Sequence, residues 1–299
     1  MNTTIALAND ANSLSSDDES DYLRQIHAED GYLIQAFNTL GYRAQRVAWS
    51  SETVDWSHFA AVLIRQTWDY YVRYAEFNNW LNRIEHQTRV INPVPVMRWN
   101  GDKQYLLELE AQGVAVVPTQ KFDISHQAPE LSALMRQHGH EEAVIKPAVS
   151  GAGRETWRIH ESEALEHQTH WEALLSAEAM LYQPFMPDIL AKGEVSLIVI
   201  GGQVTHAVRK QAATGEFRVQ DDHGGTVHAY QPNATEIQLA EQAIAAVPGA
   251  VEYARVDLVD SEQGPRVMEL ELIEPELFFR QAPEAAEKLA QRVVQQCSE

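Results

Sequence analysis

Cysteine is almost absent from this chain of 299 residues, which has only Cys297, close to the C-terminal end. A single cysteine excludes an internal disulfide, and this fits a reducing compartment. The sequence also lacks an apolar run of the roughly 18 residues that a membrane-spanning helix needs. Its first ten residues do not have the pattern of a signal peptide. Together these absences predict a cytoplasmic protein.

Positive charge is also scarce, with 23 lysines and arginines against 43 acidic residues and a net charge of -20. Proteins that bind nucleic acid or an anionic membrane need clustered cations, and no such cluster is present. The twelve histidines show none of the usual zinc-binding spacings. We therefore expect a small-molecule partner, namely a carboxylate or amino-acid substrate, and neither nucleic acid nor a membrane. Whether the chain forms a homodimer is left open.

The pattern of apolar residues predicts an α/β region followed by α+β regions. Within the first hundred residues, strand and helix patterns alternate in the order β-α-β-β-α, which is typical of a small domain with a parallel sheet. The two prolines of the Asn-Pro-Val-Pro segment at residues 92–95 interrupt regular structure. From residue 143 onward strands predominate. The predicted domains are 1–98, 99–186 and 187–299.

Two strands near the C-terminus carry the most informative charges. Side chains alternate faces along a strand, so Arg255 shares one face with Asp257, and Glu269 shares one with Glu271. If the strands pair with their apolar sides on the core, three carboxylates converge and repel each other. A magnesium ion, which commonly takes one or two carboxylates plus substrate phosphates, would relieve this repulsion. An amphipathic hairpin with a solvated acidic face is an equally good interpretation.

A second feature is a lysine at the end of a predicted strand, Lys146, followed by the glycine-rich turn with Gly151 and Gly153. Glycine lets backbone N–H groups approach phosphate oxygens, and lysine adds a positive charge. Most turns of this kind are nevertheless only turns.

A third feature is the polar, glycine-containing segment 210–225, which carries Lys210 and Arg218. It is either a plain surface loop or a mobile lid that brings cations to phosphates and excludes water. We interpret His223, within this segment, as a solvated loop residue.

The order of these motifs resembles the ATP-grasp superfamily, on the branch related to bacterial glutathione synthetase. The resemblance covers residues 99–279. It implies two α+β subdomains that clasp ATP, behind an N-terminal α/β (pre-ATP-grasp) domain. Its motifs are a helix lysine, a strand lysine, an adenine-side linker, an acidic residue that opens a strand, and a terminal acidic set: Lys103, Lys146, residues 181–185, Glu194, and Asp257 with Glu269 and Glu271.

Longer strings at residues 65–70, 98–103 and 269–278 resemble the subgroup that contains the O-ureidoserine cyclo-ligase of cycloserine biosynthesis. Two positions depart from related patterns: Ala212-Ala213 stands where a proline is usual, and Glu271 stands where glutathione synthetase has asparagine. The resemblance implies a ligase that activates a carboxylate as an acyl phosphate for attack by an amine, giving an amide or cyclic product, ADP and phosphate. The alternatives are an intermolecular ligase of the glutathione synthetase kind and a nucleotide-binding protein without activity.

The resemblance also implies a role for each site residue. The residues that would contact the phosphates are Lys103, Lys146, Gly151 and Gly153. Those that would contact adenine, mostly through the backbone, are Tyr182, Gln183 and Phe185. Glu194 would accept from the ribose hydroxyls. Magnesium, expected as two ions that Mn²⁺ can replace, would be held by Asp257, Glu269 and Glu271. The transferring phosphoryl group would be stabilised by Lys210, Arg218 and Arg255.

The acceptor substrate is expected near Arg65, Thr67, Asp69, Glu274 and Glu276. The first three follow a predicted buried strand, and ligands of α/β sheets bind beyond the carboxyl ends of strands. Arg65 could bind a carboxylate, and an acidic residue such as Asp69 or Glu276 could hold an ammonium group. Alternatively, Arg65 and Asp69 pair with each other and tie the domains together.

Overall fold

The computed structural model describes residues 3–14, 21–219 and 224–298. His223 and part of the predicted lid therefore lie outside the described residues. The strands are β1 (Thr4–Asn9), β2 (Arg43–Ala48), β3 (Ala61–Ile64), β4 (Arg89–Ile91), β5 (Gln120–Phe122), β6 (Glu142–Pro147), β7 (Trp157–His160), β8 (Met180–Pro184), β9 (Glu194–Ile200), β10 (Gln203–Gln211), β11 (Thr226–Tyr230), β12 (Tyr253–Val259) and β13 (Arg266–Glu271).

The α-helices within the same ranges are α1 (Asp21–Thr39), α2 (Tyr74–Ile84), α3 (Val94–Asn100), α4 (Tyr105–Ala111), α5 (Leu131–His138), α6 (Ala164–Ala177), α7 (Asp188–Lys192), α8 (Ala234–Ala245) and α9 (Pro283–Ser298). No helix in the described parts of the chain is long and apolar enough to cross a membrane. The sequence pattern did not predict β4, α3, β5, α5, α7 and β11. Of these, β4 and α7 span only three and five residues, too few for a periodic pattern to be visible.

The first four strands form a parallel sheet in the order β2-β1-β3-β4, which confirms the predicted α/β arrangement. All four residues of β3 are buried because helices cover both faces of this sheet. The chain passes from β1 to β2 on one side and then to β3 on the other. The strand order therefore reverses between β1 and β3, and a crevice opens beyond their carboxyl ends.

The prolines near residue 93 begin a helix and do not simply interrupt structure. Pro93 caps the N-terminus of α3, and Pro95 lies in its first turn. Proline is tolerated there because the first N–H groups of a helix have no intrahelical partner. The predicted boundary at residue 98 therefore falls within α3, and the division into three domains stays a prediction.

Two antiparallel sheets follow, in the orders β5-β8-β6-β7 and β11-β10-β9-β12-β13. Helix α9 returns to the N-terminal region, where Leu289 and Val293 join Leu33 and Phe37 of α1 in one buried cluster. Tyr253 of β12 and Ile200 of β9 belong to the same cluster, which therefore joins the five-stranded sheet to the N-terminal region.

Tyr253 fixes the hairpin of β12 and β13 relative to the parallel sheet. Its hydroxyl lies 3.2 Å from the carbonyl oxygen of Ile64, 3.1 Å from that of Ile91 and 2.8 Å from that of Ile273. These three carbonyls follow or end β3, β4 and β13. The ends of the three strands are thereby brought to one point beside the crevice.

Candidate active site

A cavity lies between the two antiparallel sheets and reaches the crevice beyond β1 and β3. One part of its wall is apolar and is built by Val117, Val144, Phe185, Met186, Phe217 and Met268. Another part is charged. Its cations are Lys103, Lys146, Lys210, Arg218 and Arg255, and its carboxylates are Glu29, Glu194, Asp257, Glu269, Glu271, Glu274 and Glu276.

The hairpin of β12 and β13 supplies the centre of the charged wall. Arg255 pairs in register with Glu271, and Asp257 with Glu269. The intervening Val256 and Leu270 are buried in the core on the other side of the sheet. The prediction that these charged residues share one face is confirmed. Since Asp257 is only 2% exposed, this face is not the solvated surface of the alternative interpretation.

Protein cations neutralise the three carboxylates. The Arg255 guanidinium donates to Asp257 Oδ1 at 2.9 Å and to Glu271 Oε1 at 2.5 Å, and Lys103 Nζ lies 3.2 Å from Glu269 Oε1. Within the described residues, no three acidic, histidine or cysteine side chains come together to hold an ion on their own. Any cation bound here would therefore need further oxygen ligands from a bound molecule or water.

Burial and neighbouring charges set the pKa values of this group. Burial alone would raise the pKa of Asp257, but the positive charges of Arg255 and Lys210 outweigh burial and hold this pKa below its usual value. Lys103 and Lys146 do the same for Glu269. Burial raises the pKa of Glu271 to about 7, and repulsion from the other two carboxylates adds to that effect.

Lys146 differs from the other lysines of the cavity. It lies on β6 and is 9% exposed, and no described acidic group forms an ion pair with it. Burial lowers the pKa of its ammonium group, and Glu269 only partly offsets the effect. A buried charge without a partner is unfavourable, so an anion in the cavity would stabilise this lysine.

The glycine-rich turn lies directly beside these lysines. Gly151 and Gly153 both line the cavity, and Lys103 Nζ donates to the carbonyl oxygen of Ser150. A Cβ atom at position 151 would lie 2.8 Å from the ring of Tyr71, so no side chain fits there without a shift. The turn is thus packed between the N-terminal region and Lys103.

Lys210 lies in a strand, and therefore in neither of the two predicted structures, a surface loop or a lid. It lies within β10, which continues to Gln211 because it pairs with strands on both sides. Its ammonium contacts the carboxylate of Glu194 and lies 3.6 Å from Asp257 Oδ2. Glu194, predicted to contact a ribose, is 2% exposed and already engaged by this lysine. Arg218 lines the cavity from the following segment and donates to Glu216 at 2.7 Å.

Only part of the predicted adenine linker faces the cavity. Gln183 and Phe185 line it, whereas the Tyr182 side chain lies on the opposite face of β8, with its hydroxyl 2.9 Å from His140 Nδ1. Phe185 contacts Phe217 edge-on at a centroid distance of 6.2 Å. The alternation of side chains along β8 accounts for this split.

On the acceptor side, the structure corrects the prediction. Gln66 and Trp68 line the cavity, while Arg65, Thr67 and Asp69 do not. After β3 the chain bends at residue 66 and enters a turn at residues 68–73, in which Tyr70 N donates to Thr67 O at 2.9 Å. This change of direction, rather than the alternation of a strand, decides which side chains reach the cavity. Glu274 and Glu276, by contrast, do line the cavity.

The alternative pair between Arg65 and Asp69 is also not formed. Arg65 is fully buried and lies 3.5 Å from Glu29 and 3.8 Å from Asp30, both on α1. Asp69 accepts from Trp49 Nε1 at 2.7 Å and pairs with Arg73 at 2.7 Å. Arg65 therefore pairs with two buried acids of α1, of which Glu29 lines the cavity.

Comparison with known proteins decides the family. Residues 101–277 match the model of the RimK-like ATP-grasp domain, and residues 5–92 match the N-terminal domain of D-cycloserine synthetase DcsG. The chain belongs to the RimK-like ATP-grasp family. Its relatives are ATP-grasp ligases that form carbon–nitrogen bonds, which confirms the predicted fold and enzyme class. The family implies the use of ATP and a divalent metal ion.

Three matches illustrate the range of this ATP-grasp family. The cycloserine biosynthesis protein DcsG of Streptomyces lavendulae is 32% identical over 283 residues, covering 88% of this chain and 92% of that one. The crystal structure of D-cycloserine synthetase DcsG matches with a TM-score of 0.83 at 30% identity, over 98% of this chain and 99% of that one. A probable alpha-L-glutamate ligase of Trichodesmium erythraeum (strain IMS101) is 28% identical over 185 residues, covering 60% of this chain and 58% of that protein.

Three hydrogen bonds that the sequence pattern does not reveal hold the edge of β13 in this ATP-grasp site. Asn100 Nδ2 donates to Leu270 O at 2.7 Å, and Asn100 Oδ1 accepts from Leu272 N at 2.8 Å. Tyr105 Oη accepts from Leu270 N at 3.1 Å. These side chains replace a neighbouring strand along the segment that carries Glu271. Asn100 belongs to the string 98–103 that carried the resemblance, which was the available signal.

Replacing Asn100 with Asp should destabilise the protein by roughly 1–3 kcal/mol, because the donor to a buried carbonyl is lost and a carboxylate is placed beside it. Chemical denaturation measures this free energy of unfolding. The matched control is Asn78→Asp, which removes a 3.0 Å donor to Tyr74 O within a partly exposed helix. Equal effects of the two variants would contradict the role given to Asn100.

Proposed function

We propose that this ATP-grasp ligase uses ATP and Mg²⁺ to activate the carboxylate of an amino-acid-derived substrate as an acyl phosphate. An amine of the same molecule then displaces phosphate and closes a ring. The observation that carries this proposal is the convergence of three lysines and three hairpin carboxylates on one cavity with an apolar end. Similarity to a cycloserine biosynthesis protein over most of both chains supports cyclisation.

For the nucleotide, we assign the apolar wall with Gln183 and Phe185 to adenine, and Lys103, Lys146, Gly151 and Gly153 to the phosphates. The buried ammonium of Lys146 supports this assignment, since it forms no ion pair with a described residue and a phosphate would supply a negative charge beside it. Positioning and charge neutralisation carry most of the catalysis in phosphoryl transfer, so a protein nucleophile is not needed.

For the metal, the oxygen donors of Asp257, Glu269 and Glu271 suit Mg²⁺, and we expect two ions that Mn²⁺ can replace. The residues fit such a site because Asp257 and Glu269 are held in the ionised form and all three face the cavity. When bound, the ions would neutralise charge on the phosphates. The protein's own cations at this point, Arg255 and Lys210, hold these carboxylates in place.

The same cations are proposed to face the reacting groups. Arg255 and Lys210, from the hairpin and β10, and Arg218, from the segment after β10, would stabilise the transferring phosphoryl group and the acyl phosphate. The acceptor would lie beyond them, against Gln66, Trp68, Glu274 and Glu276. This revised acceptor set replaces Arg65, Thr67 and Asp69, which do not line the cavity.

An intermolecular ligase remains the second candidate, because probable alpha-L-glutamate ligases also match this chain. The two functions differ in how many substrates they need. ADP release should be measured with ATP, Mg²⁺ and O-ureidoserine alone, and then with single amino acids and pairs that include glutamate. Release with one substrate and formation of a cyclic product support the cyclo-ligase, whereas release that needs two substrates supports the alternative. The absence of ADP release across the whole panel would contradict both.

A further inference from the structure

One carboxylate of the N-terminal region accepts two backbone hydrogen bonds from the segment that follows β13. Glu29, on α1, is 3% exposed. Its Oε1 atom accepts from the backbone N–H of Leu277 at 2.9 Å, and its Oε2 atom accepts from that of Phe279 at 3.0 Å. The two oxygens of a single side chain therefore fix two alternate peptide groups, 248 and 250 positions further along the chain.

The residue between those two peptide groups has an unusual backbone. Phe278 has a φ angle of +49°, in the left-handed region that a bulky side chain rarely adopts. Such a conformation persists only where the surroundings over-determine it. Here Leu277 and Phe279, on either side, are fully buried, and Glu29 holds both of their N–H groups.

The result of this backbone geometry is the placement of the Phe278 side chain. It lines the cavity, with the guanidinium carbon of Arg255 6.0 Å and that of Arg280 5.0 Å from the ring centroid. Arg255 is the residue that pairs with both Asp257 and Glu271. Phe278 therefore connects the acceptor end of the cavity to the charged hairpin.

A second contact from α1 also holds this segment. Gln25 lies one turn before Glu29, and its Nε2 atom donates to Glu276 Oε1 at 3.1 Å. On the opposite side, His206 Nε2 lies 2.9 Å from the carbonyl oxygen of Leu277. The segment 276–279 is thus held by α1 from one side and by β10 from the other.

We propose that Glu29 is a positioning residue for the acceptor, because it holds Phe278 in the left-handed conformation that places its ring against Arg255 and closes the acceptor end of the cavity. This inference rests on the proposed function for its catalytic meaning. It assigns Glu29 no contact with the nucleotide and no role in proton transfer. It predicts that Glu29 and Phe278 act on the acceptor as one unit.

The test begins with Glu29→Gln, because glutamine keeps the volume but can accept through only one oxygen. The KM for the acceptor should rise about ten-fold, while the KM for ATP changes by less than about two-fold. Phe278→Leu should have a similar effect on the acceptor. In the double variant the two effects should not add, since both remove the same ring placement. Additive effects would mean that Glu29 touches the substrate independently, and would overturn the proposal.

A matched control separates positioning from general stability. Glu236 is also 3% exposed and accepts a backbone N–H, that of Asn233 at 2.8 Å, in the capping box of α8. Glu236→Gln should lower the thermal stability and leave the acceptor KM unchanged. If this control raises the acceptor KM as much as Glu29→Gln does, the effect is one of stability and the proposal fails.

A second measurement needs no substrate. Hydrogen exchange of the Leu277 and Phe279 amides should be slow in the unaltered protein and at least about ten-fold faster in Glu29→Gln, with amides of α8 unaffected. Unchanged exchange of these two amides in Glu29→Gln would overturn the inference, regardless of the KM for the acceptor in this variant. Faster exchange in a protein that shows no acceptor-dependent ADP release would instead refute the proposed function and leave the positioning contact standing.

Discussion

Replacing Lys146 with methionine is expected to lower kcat/KM for ATP by roughly 10²- to 10³-fold, the usual effect of removing one charged contact to a reacting phosphate. Methionine keeps most of the apolar stem and removes only the ammonium group. Because that ammonium is buried and has no acidic partner among the described residues, the variant should be at least as stable as the original. Activity and stability are therefore expected to change in opposite directions.

Calorimetric titration with ATP, steady-state kinetics and thermal unfolding test this expectation together. Lys121→Met is the matched control. It lies on β5 of the same sheet, pairs with Asp102 at 2.8 Å and does not line the cavity. The control should bind ATP normally. Unaltered ATP affinity and rate in Lys146→Met would count decisively against the phosphate assignment.

The second large effect is expected for Glu271→Gln, which should lower kcat by roughly 10²- to 10³-fold while the fold survives. The substitution removes one charge and little volume. Arg255 keeps its hydrogen bonds to Asp257, so the hairpin retains its main ion pair. The loss should be accompanied by a higher Mg²⁺ concentration for half-maximal rate, because one proposed oxygen ligand is weakened.

A magnesium titration at saturating ATP measures this effect. Glu85→Gln is the control, since the Glu85 side chain is as exposed as that of Glu271, at 26%, and also pairs with an arginine, Arg98. It lies at the end of α2, away from the cavity. A fully active Glu271→Gln variant with unchanged magnesium dependence would show that this carboxylate does not hold metal.

The central part of the site could be predicted from the sequence because it obeys a local rule. Alternation puts Arg255 with Asp257 on one face of β12 and Glu269 with Glu271 on one face of β13. Burial of the apolar residues on the opposite faces then brings the two charged pairs together. The same rule failed near Arg65. Residue 66 is a bend and residues 68–73 form a turn, so the alternation ends with β3 and cannot show which of the following side chains reach the cavity.

Other parts of the site had no local signal. The polar residues around Lys210 favour a surface loop or a lid, yet pairing with β9 and β11 extends β10 past it. Asn100 bonds to the edge of β13 where a neighbouring strand would otherwise pair. Glu29 accepts a hydrogen bond from the backbone N–H of Leu277, which lies 248 positions further along the chain. Such contacts arise from tertiary packing, which a pattern of apolar residues cannot reveal.

The measurement that tests the central claim most directly follows an oxygen atom of the substrate. The acceptor that supports ADP release is labelled with a heavy oxygen isotope in its carboxylate, and the released phosphate is analysed by mass spectrometry. An acyl phosphate requires one labelled oxygen to leave with the phosphate as the amine displaces it. We predict one labelled oxygen per phosphate released. Phosphate without label, formed together with the ligated product, would show that the carboxylate is not phosphorylated and would contradict the account.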